Sequence, residues 1–536
     1  MRSRSLLCFG VVLAAFNVLG QSQTPNANLS SVGVTVIDEL SNDAISSARI
    51  SRDYSGDVFT DSRGHFSLEP VGSERSTITI TKSGFVPKSI ILAFTPTDAR
   101  TDVIVRLKKT GVIAGTVFSE NGMPVTNAVV GTLQYRFING QRKLVSVGEE
   151  VTSDDRGEVR LFDRPAGEFI VFARRSIPSR QGGSRSYVYS FYPTGTDIAR
   201  AIPIEVRSGQ EARVAISLSG RSLGHIHVQI VNGTSVAPSS YSVFVMPPFS
   251  NASVMAFNRT VSDADYPASE PGSYSVRVEW TTAEKARMIG MTRIEVTSDN
   301  DVSVSVRVEE PKGMLSGRVI LDNIDATSLP DAKVTLSLLG ALTAGRPNNP
   351  IILPGLASDG TFGPVALYPD RYEIAFNDRA PVPEGQYISA VLQSQRSGPD
   401  LLDVLSSGID IVSGNQTRVE IHIGKANCSI HGSVTDPSGA SSPDVIVALV
   451  PEGALRERFR QTENFGSQPQ YRMTRTDQYG RFEIRNLISG SYQVYAVPHL
   501  DEGAYLDSEY MDTSRNMGKA IQLRDESDST VDLRID

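Results

Sequence analysis

Thr476-Asp-Gln-Tyr-Gly480-Arg-Phe482-Glu-Ile484, followed closely by Ser489-Gly490-Ser-Tyr492-Gln-Val-Tyr-Ala496, decides the fold of this chain. An Asp three residues before a Gly is turn chemistry. The carboxylate accepts a bond from the turn's own N–H, and Gly reaches positive φ without a Cβ clash. On the far side Tyr492, Val494 and Ala496 fall at every second position, the period of a half-buried strand. The stretch reads as strand, tight turn, strand, turn, strand.

Working outward, the same plan recurs. Thr60-Asp-Ser-Arg-Gly64-His-Phe66, Ser153-Asp-Asp-Arg-Gly157-Glu-Val159 and Ser358-Asp-Gly360-Thr-Phe362 repeat the turn. Pro70-Val-Gly72, Pro165-Ala-Gly167-Glu-Phe169, Pro271-Gly272-Ser-Tyr274 and Pro369-Asp370-Arg-Tyr372 repeat the closing signal. Gly72, Gly167, Gly272, Asp370 and Gly490 are spaced by 95, 105, 98 and 120 residues. A repeat of this size, with short alternating strands and almost no 3.6 periodicity, predicts an all-β tandem array of about five small antiparallel β-sandwich domains. The units are expected at 31–109, 110–219, 220–310, 311–424 and 425–536; the third lacks the Asp-x-x-Gly turn. In it Tyr274, Val276, Val278 and Trp280 share one face, which places Trp280 inward. Tyr372, Ile374 and Phe376 share a face likewise. Short helices are expected at Leu401 to Ser407 and Glu509 to Met517, and surface loops at Gly340 to Leu356 and Arg456 to Gln470.

Composition agrees with such a chain and excludes several others. The 536 residues are 40% hydrophobic and 21% charged, too many for one typical domain. A net charge of −8 gives no electrostatic footprint for nucleic acid. Arg2 and Arg4 precede the apolar run Leu6 to Leu19, with Val18 and Gly20 as small residues before Gln21. That is the pattern of a signal peptide at 1–20, followed by a linker at 21–30, and the run is too short to span a bilayer. The expected address is exported: periplasmic, cell-surface or extracellular, without a membrane span after cleavage. Loss of 1–20 removes Cys8 and leaves Cys428 as the one thiol, so no intrachain disulfide forms. Cys428 lies in an alternating strand pattern and reads as a small buried residue.

The residues also carry a family resemblance. Gly115-Thr-Val, Gly122-Met-Pro-Val-Thr-Asn-Ala-Val-Val130, Asp155-Arg-Gly157 and Pro165-Ala-Gly167-Glu-Phe-Ile-Val together resemble the carboxypeptidase regulatory-like domain, a transthyretin-like, Ig-like seven-strand sandwich. His431-Gly-Ser-Val-Thr-Asp, Asp477 to Ile484 and Gly490 to Ala496 repeat the resemblance, and Ser83-Gly-Phe-Val-Pro-Lys in the first unit is similar to the family's Gly-aromatic stretch. Phe191-Tyr-Pro-Thr-Gly-Thr196 looks like a segment that recurs in multi-repeat secreted proteins of soil bacteria. The resemblance implies an accessory or binding module among the carbohydrate-binding-like sandwiches.

Catalytic constellations are not found. The sequence has no Gly-x-Ser-x-Gly elbow, no phosphate-binding Gly-x-x-x-x-Gly-Lys-Ser/Thr loop and no dinucleotide fingerprint. His499-Leu-Asp-Glu502 matches the His-x-x-Glu of zinc carboxypeptidases, but only 34 residues follow it, too few for a catalytic domain. His225 and His227, at i and i+2 on a strand, face one side and lack an evident third metal ligand. Asp154 and Asp155 read as turn residues. No cofactor and no metal are expected. The best candidate ligand surface is aromatic: Tyr187, Tyr189 and Phe191 share a face if extended, and Tyr192 ends the run, a row able to stack on sugar rings or to line a core. Tyr505 and Tyr510, near Asp507 and Glu509, form a second cluster. The reading is a non-catalytic exported binding or scaffold protein, carbohydrate-binding or adhesive, with a carbohydrate or cell-surface partner. The alternative is a hydrolase, or an accessory subunit of an extracellular enzyme acting on polysaccharide or peptide.

Overall fold

A Gly-x-Val first strand and a strand entered from the Asp-x-x-Gly turn pair antiparallel in the units that carry both, and the rest of each sandwich follows from that pair. The computed structural model describes residues 31–52, 55–70, 75–94, 101–138, 140–178, 185–218, 225–236, 238, 241–246, 263–267, 272–281, 287–296, 301–322, 336–340, 351–353, 357, 359–376, 385–394, 400–458, 470–501, 503–513 and 518–535. The expected signal peptide and linker, and most of the insertion at 340–356, lie outside them.

In the first unit, Val32–Asp38 pairs antiparallel with His65–Leu68 and parallel with Thr101–Leu107. A second sheet, in the order Ser55–Phe59, Arg49–Arg52, Arg75–Thr81, Lys88–Ala93, packs against the first. The other units repeat the parallel pairing of first and last strands. Gly111–Phe118 runs parallel to Glu211–Ser217, His225–Asn232 to Val302–Val308, Gly313–Leu321 to Gln416–Lys425, and Cys428–Thr435 to Asp528–Thr530 and Leu533–Arg534. The chain is all-β and mainly antiparallel, with one parallel pairing of first and last strands in each repeat. That pairing arises because the last strand re-enters its sheet on the free side of the first, and alternation alone carries no strand direction.

Glycine makes the parallel pairing close. A Cβ on Gly115 or Gly317 would overlap the carbonyl oxygen of Val214 or Val419 on the last strand, and one on Gly432 that of Val531, between the two short last strands of its unit. This is the packing reason for the Gly of Gly-x-Val.

Among the described residues, buried side chains gather into five inter-sheet cores, with hearts at Val34, Ile80 and Phe66; Ile113, Phe169 and Ile216; Val228, Val276 and Trp280; Leu315, Tyr372 and Ile421; and Ile430, Phe482 and Tyr492. Trp280 is 4% exposed and lies with Tyr274, Val276 and Val278, the face that alternation assigned. Cys428 is a buried free thiol, its Sγ 3.0 Å from the Arg524 carbonyl.

Local expectations fail in two places. Leu401–Asp403 is a strand, not the start of a helix, because it pairs with Gln386–Ser394 at the edge of the sheet. The helix expected at Glu509 to Met517 is present as Ser508–Thr513, with residues 514–517 outside the described set. The expected loop at Arg456 begins inside the helix Gly453–Arg458 and ends at Gln470, which is fully buried. At Leu401 and at Arg456 tertiary packing supplies partners that a short window of sequence does not contain.

Candidate functional surfaces

The repeated turn is where the most polar chemistry converges, and it is consumed locally. Asp61 Oδ1 accepts the N–H groups of Arg63 and His65, both at 2.8 Å. Asp154 Oδ1 takes those of Arg156 and Glu158 at 2.9 and 2.8 Å, and Asp477 Oδ1 those of Tyr479 and Arg481 at 2.9 Å. Adjacent Asp154 and Asp155 are thus turn residues, as the pattern indicated.

The residue before each Asp has a role that sequence reading passed over. Thr60 Oγ1 accepts the Ala48 N–H and donates to the Ile45 carbonyl. Ser153 makes the same pair with Ala128 and Val125, and Thr476 with Val445 and Ser442. All three hydroxyls are buried and tie the preceding loop to the turn. The signal was present: a hydroxyl residue stands before Asp-x-x-Gly in each of the three.

The aromatic row does not form an open platform. Tyr189 and Phe191 are 7% and 1% exposed, and they pack with Leu133, Ile170 and Phe172 in a second cluster on the far side of the unit's larger sheet. Tyr189 and Phe191 rings stack at 6.2 Å, Phe172 tilts against Tyr189 at 5.1 Å, and Ile198 and Ala201 cover the group. Tyr192 packs against the inter-sheet core instead. Tyr187 stands opposite Ser176 in register, and its side chain lies outside the described set. The physical reason is that Gly167–Pro178 is apolar on both faces. Phe169, Val171 and Ala173 point to one core, Ile170 and Phe172 to the other.

The second aromatic cluster is also a packing device. Tyr505 and Leu506 lie against Tyr495 and Met511 in the last unit, while the Tyr510 ring meets Phe137 of the second unit at 4.9 Å. Asp507 accepts the Tyr510 N–H at the start of the short helix.

His225 and His227 do share a strand face, and the fold adds carboxylates that lie far off in sequence. His225 Nδ1 is 3.0 Å from Asp265 Oδ2, and His227 Nδ1 is 3.1 Å from Asp265 Oδ1. His227 Nε2 lies 3.5 Å from Asp301 Oδ2. The His225 N–H bond holds the Asp301 carboxyl below the usual carboxylate range. The His227 imidazole faces two different acids through its two nitrogens, which builds a chain of polar contacts along the strand face and not a shared centre. Among the described residues no group of three or more His, Cys, Asp or Glu is arranged to hold a metal ion. His499 Nε2 lies 3.8 Å from Asp501, and Glu502 is outside the described residues.

One outer sheet face is concave. In the second unit a depression of about 590 Å³ is floored by Ala114, Gly115 and Thr116 and flanked by Glu158, Arg160, Glu211 and Arg213. Small residues on the central strand and long charged ones on the outer two create it: register sets Arg160 and Arg213 on either side of Ala114. Glu211 pairs with Arg160, and with Arg213 at 3.3 Å. The Arg160 hydrogen bond holds the Glu211 carboxyl below its ordinary value. Phe162, 55% exposed, continues the outward face of the Arg160 strand, with the guanidinium 5.2 Å from its ring centre.

No protein-family model matches the sequence, and no curated protein matches it. Among solved structures the chain is similar to the Bacillus anthracis TIE protein, at 11% identity over 76% of this chain and 68% of that one, with a TM-score of 0.15. It is also similar to a streptococcal ancillary pilin, at 11% identity over 58% and 99% of the two chains and a TM-score of 0.22. The minor pilin GBS52 of Streptococcus agalactiae gives 11%, 39% and 99%, and 0.20. TM-scores this low do not superpose the chains as wholes. The architecture itself defines the class: a tandem β-sandwich protein. No described helix is long and apolar enough to cross a membrane.

Proposed function

We propose that the chain is a non-catalytic exported scaffold with an adhesive role, built of five sandwich units of the carboxypeptidase regulatory-like kind at 31–109, 110–219, 220–310, 311–424 and 425–536. The observation that carries this reading is the fate of the polar side chains. The carboxylates of Asp61, Asp154 and Asp477 and the hydroxyls of Thr60, Ser153 and Thr476 are occupied by backbone groups of their own loops. The cores beside them are aliphatic and aromatic. Such units offer outer faces to a partner. Export rests on the basic and apolar N-terminal segment of the sequence.

The ligand class is carbohydrate, and the surface that suits it is the concave face of the second unit rather than the aromatic row. Phe162 supplies an exposed ring, while Glu158, Arg160, Glu211 and Arg213 supply charged hydrogen-bonding groups beside a floor of small side chains. Affinity electrophoresis of the chain from residue 21 on a polysaccharide panel, with product analysis of each retarded sample, tests the reading. Retardation without products, weakened in Phe162→Ala, is the expected result. Released products would overturn the non-catalytic part, and absence of retardation on every glycan would overturn the carbohydrate part.

A further inference from the structure

The last unit is not a free tip, because its turn lies against the first. Lys88–Ala93 ends the order of the first unit's larger sheet, and its final residue meets Gln478. The Ala93 N–H donates to Gln478 Oε1 at 2.8 Å, and Gln478 Nε2 donates to the Ala93 carbonyl at 2.6 Å. A side-chain amide thus reads the strand edge as a neighbouring strand would. Around this pair the charges are complementary. Arg75 Nη2 is 3.3 Å from Asp477 Oδ2 and Nη1 is 4.0 Å from Glu483 Oε2, while Lys88 Nζ is 2.7 Å from Asp444 Oδ2. The Asp477 side chain is fully covered, whereas its counterparts Asp61, Asp154 and Asp359 are exposed. Toward the second unit, by contrast, the first is joined by the connection at 108–110 and a few polar contacts, among them Ser208 Oγ to the Lys109 carbonyl and the Thr110 N–H to the Gly84 carbonyl.

We propose that this pair of surfaces is the chain's self-association interface: unit 1 closes on unit 5 of its own chain when dilute, and exchanges onto unit 5 of a second copy when concentrated, swinging on residues 108–110. One copy carries both halves of the contact at different places, so the interface is heterologous and a second copy supplies the same partners. The exchanged contact makes the bonds of the closed one. The effective concentration of a tethered partner, in the millimolar range, therefore sets where exchange begins. Arg75, Lys88, Glu483 and Asp444 keep about a third of their side-chain surface in water, so salt weakens their attraction, while the Gln478 amide pair fixes the docking geometry.

The experiment uses the full mature chain in two variants. Arg75→Glu with Lys88→Glu breaks the unit 1 side; Gln478→Ala with Glu483→Lys breaks the unit 5 side. Asp477 is left alone because it also holds its own turn. Small-angle scattering is expected to give each variant a radius of gyration larger than the parent by roughly a tenth or more, and sedimentation to keep each monomeric. Mixed at about 0.5 mM, they contain one intact unit 1 surface and one intact unit 5 surface, and are expected to form a one-to-one complex that about 1 M NaCl disperses. The parent chain is expected to dimerise at the same concentration. Unchanged radii in both variants would overturn the closure, and a mixture that stays monomeric would overturn the exchange. The four charged positions are partly exposed and outside the cores; circular dichroism checks each fold, and the milder Arg75→Gln and Gln478→Asn are expected to shift the radius in the same direction.

Discussion

In unit 1, Asp61 closes its turn through Oδ1 and its carboxylate stands in water; in unit 5, Asp477 makes the same two backbone bonds, and its Oδ2 faces Arg75 and Arg481 under complete cover. The glycines that follow have φ of 71° and 73°, and the threonines that precede make the same two bonds to the loop before. One turn has been used for two purposes. The backbone job is common to both and is written in Thr-Asp-x-x-Gly. The docking job belongs to unit 5 alone and depends on the residues inside the motif, where Gln478 replaces Ser62, together with what unit 1 brings against them.

The largest effects should fall on the shared job. A Cβ at Gly64 would lie 2.5 Å from the Val36 carbonyl oxygen, and one at Gly480 would lie 2.8 Å from that of Val434, both at positive φ. Gly64→Ala and Gly480→Ala should each destabilise their own unit by about 2–4 kcal/mol, read as lost amide-exchange protection in that unit. A cost at one site and none at the other would break the equivalence. Next come Thr60→Val and Thr476→Val, which keep shape but strand a buried N–H and a buried carbonyl. Each should cost about 1–3 kcal/mol, again in matched amounts.

Smaller and unequal effects should mark the docking job. Gln478→Ala removes both bonds to Ala93 and should weaken the contact by about 1–2 kcal/mol, visible as faster exchange of the Ala93 amide. Ser62→Ala, at the corresponding exposed position, should stay within about 0.5 kcal/mol. Equal effects would mean that the two turns do not differ in use.

The smallest effect is the response to acid. The N–H groups of His65 and Arg63 hold the Asp61 carboxyl below its usual value. Thr361 does the same for Asp359 and Ser438 for Asp436, each mainly through its hydroxyl. A carboxyl with a lowered folded value stabilises the fold fully above its unfolded value and loses that contribution as pH falls through the lowered one. Melting temperature should therefore hold between about pH 7 and 5 and fall below about pH 4. A rise on acidification would contradict the turn geometry.

Alternation alone places Trp280 inward, since a strand offers two faces and only one of them is apolar in Tyr274 to Trp280. The same rule puts Tyr189 and Phe191 on one face but leaves open whether a ligand or a core covers it, and in the fold they line a core of their own. Their strand lies beside Gly167–Pro178, whose unbroken run Phe169 to Ala173 is apolar on both sides and needs cover on both. An uninterrupted apolar run was the available signal that the neighbouring aromatics serve as cover. Leu401 to Ser407 failed as a helix because edge pairing with Gln386–Ser394 supplied strand partners across an intervening loop. The concave face of unit 2 was invisible beforehand, because it depends on Arg160 and Arg213 meeting across Ala114 from strands fifty residues apart, a matter of register.

Local chemistry is what the sequence determined by itself. Asp and Gly at fixed offsets can make only a tight turn, period-two alternation can bury only one face, and a hundred-residue repeat of both yields an array of sandwiches. Direction, register and docking were decided by the tertiary structure. That each last strand runs parallel to the first, that His225 and His227 meet Asp265 and Asp301, and that the turn of unit 5 covers the sheet edge of unit 1 are contacts between residues tens to hundreds of positions apart. No short stretch of chain contains both partners of such a contact, so its geometry exists only once the units have folded and come together.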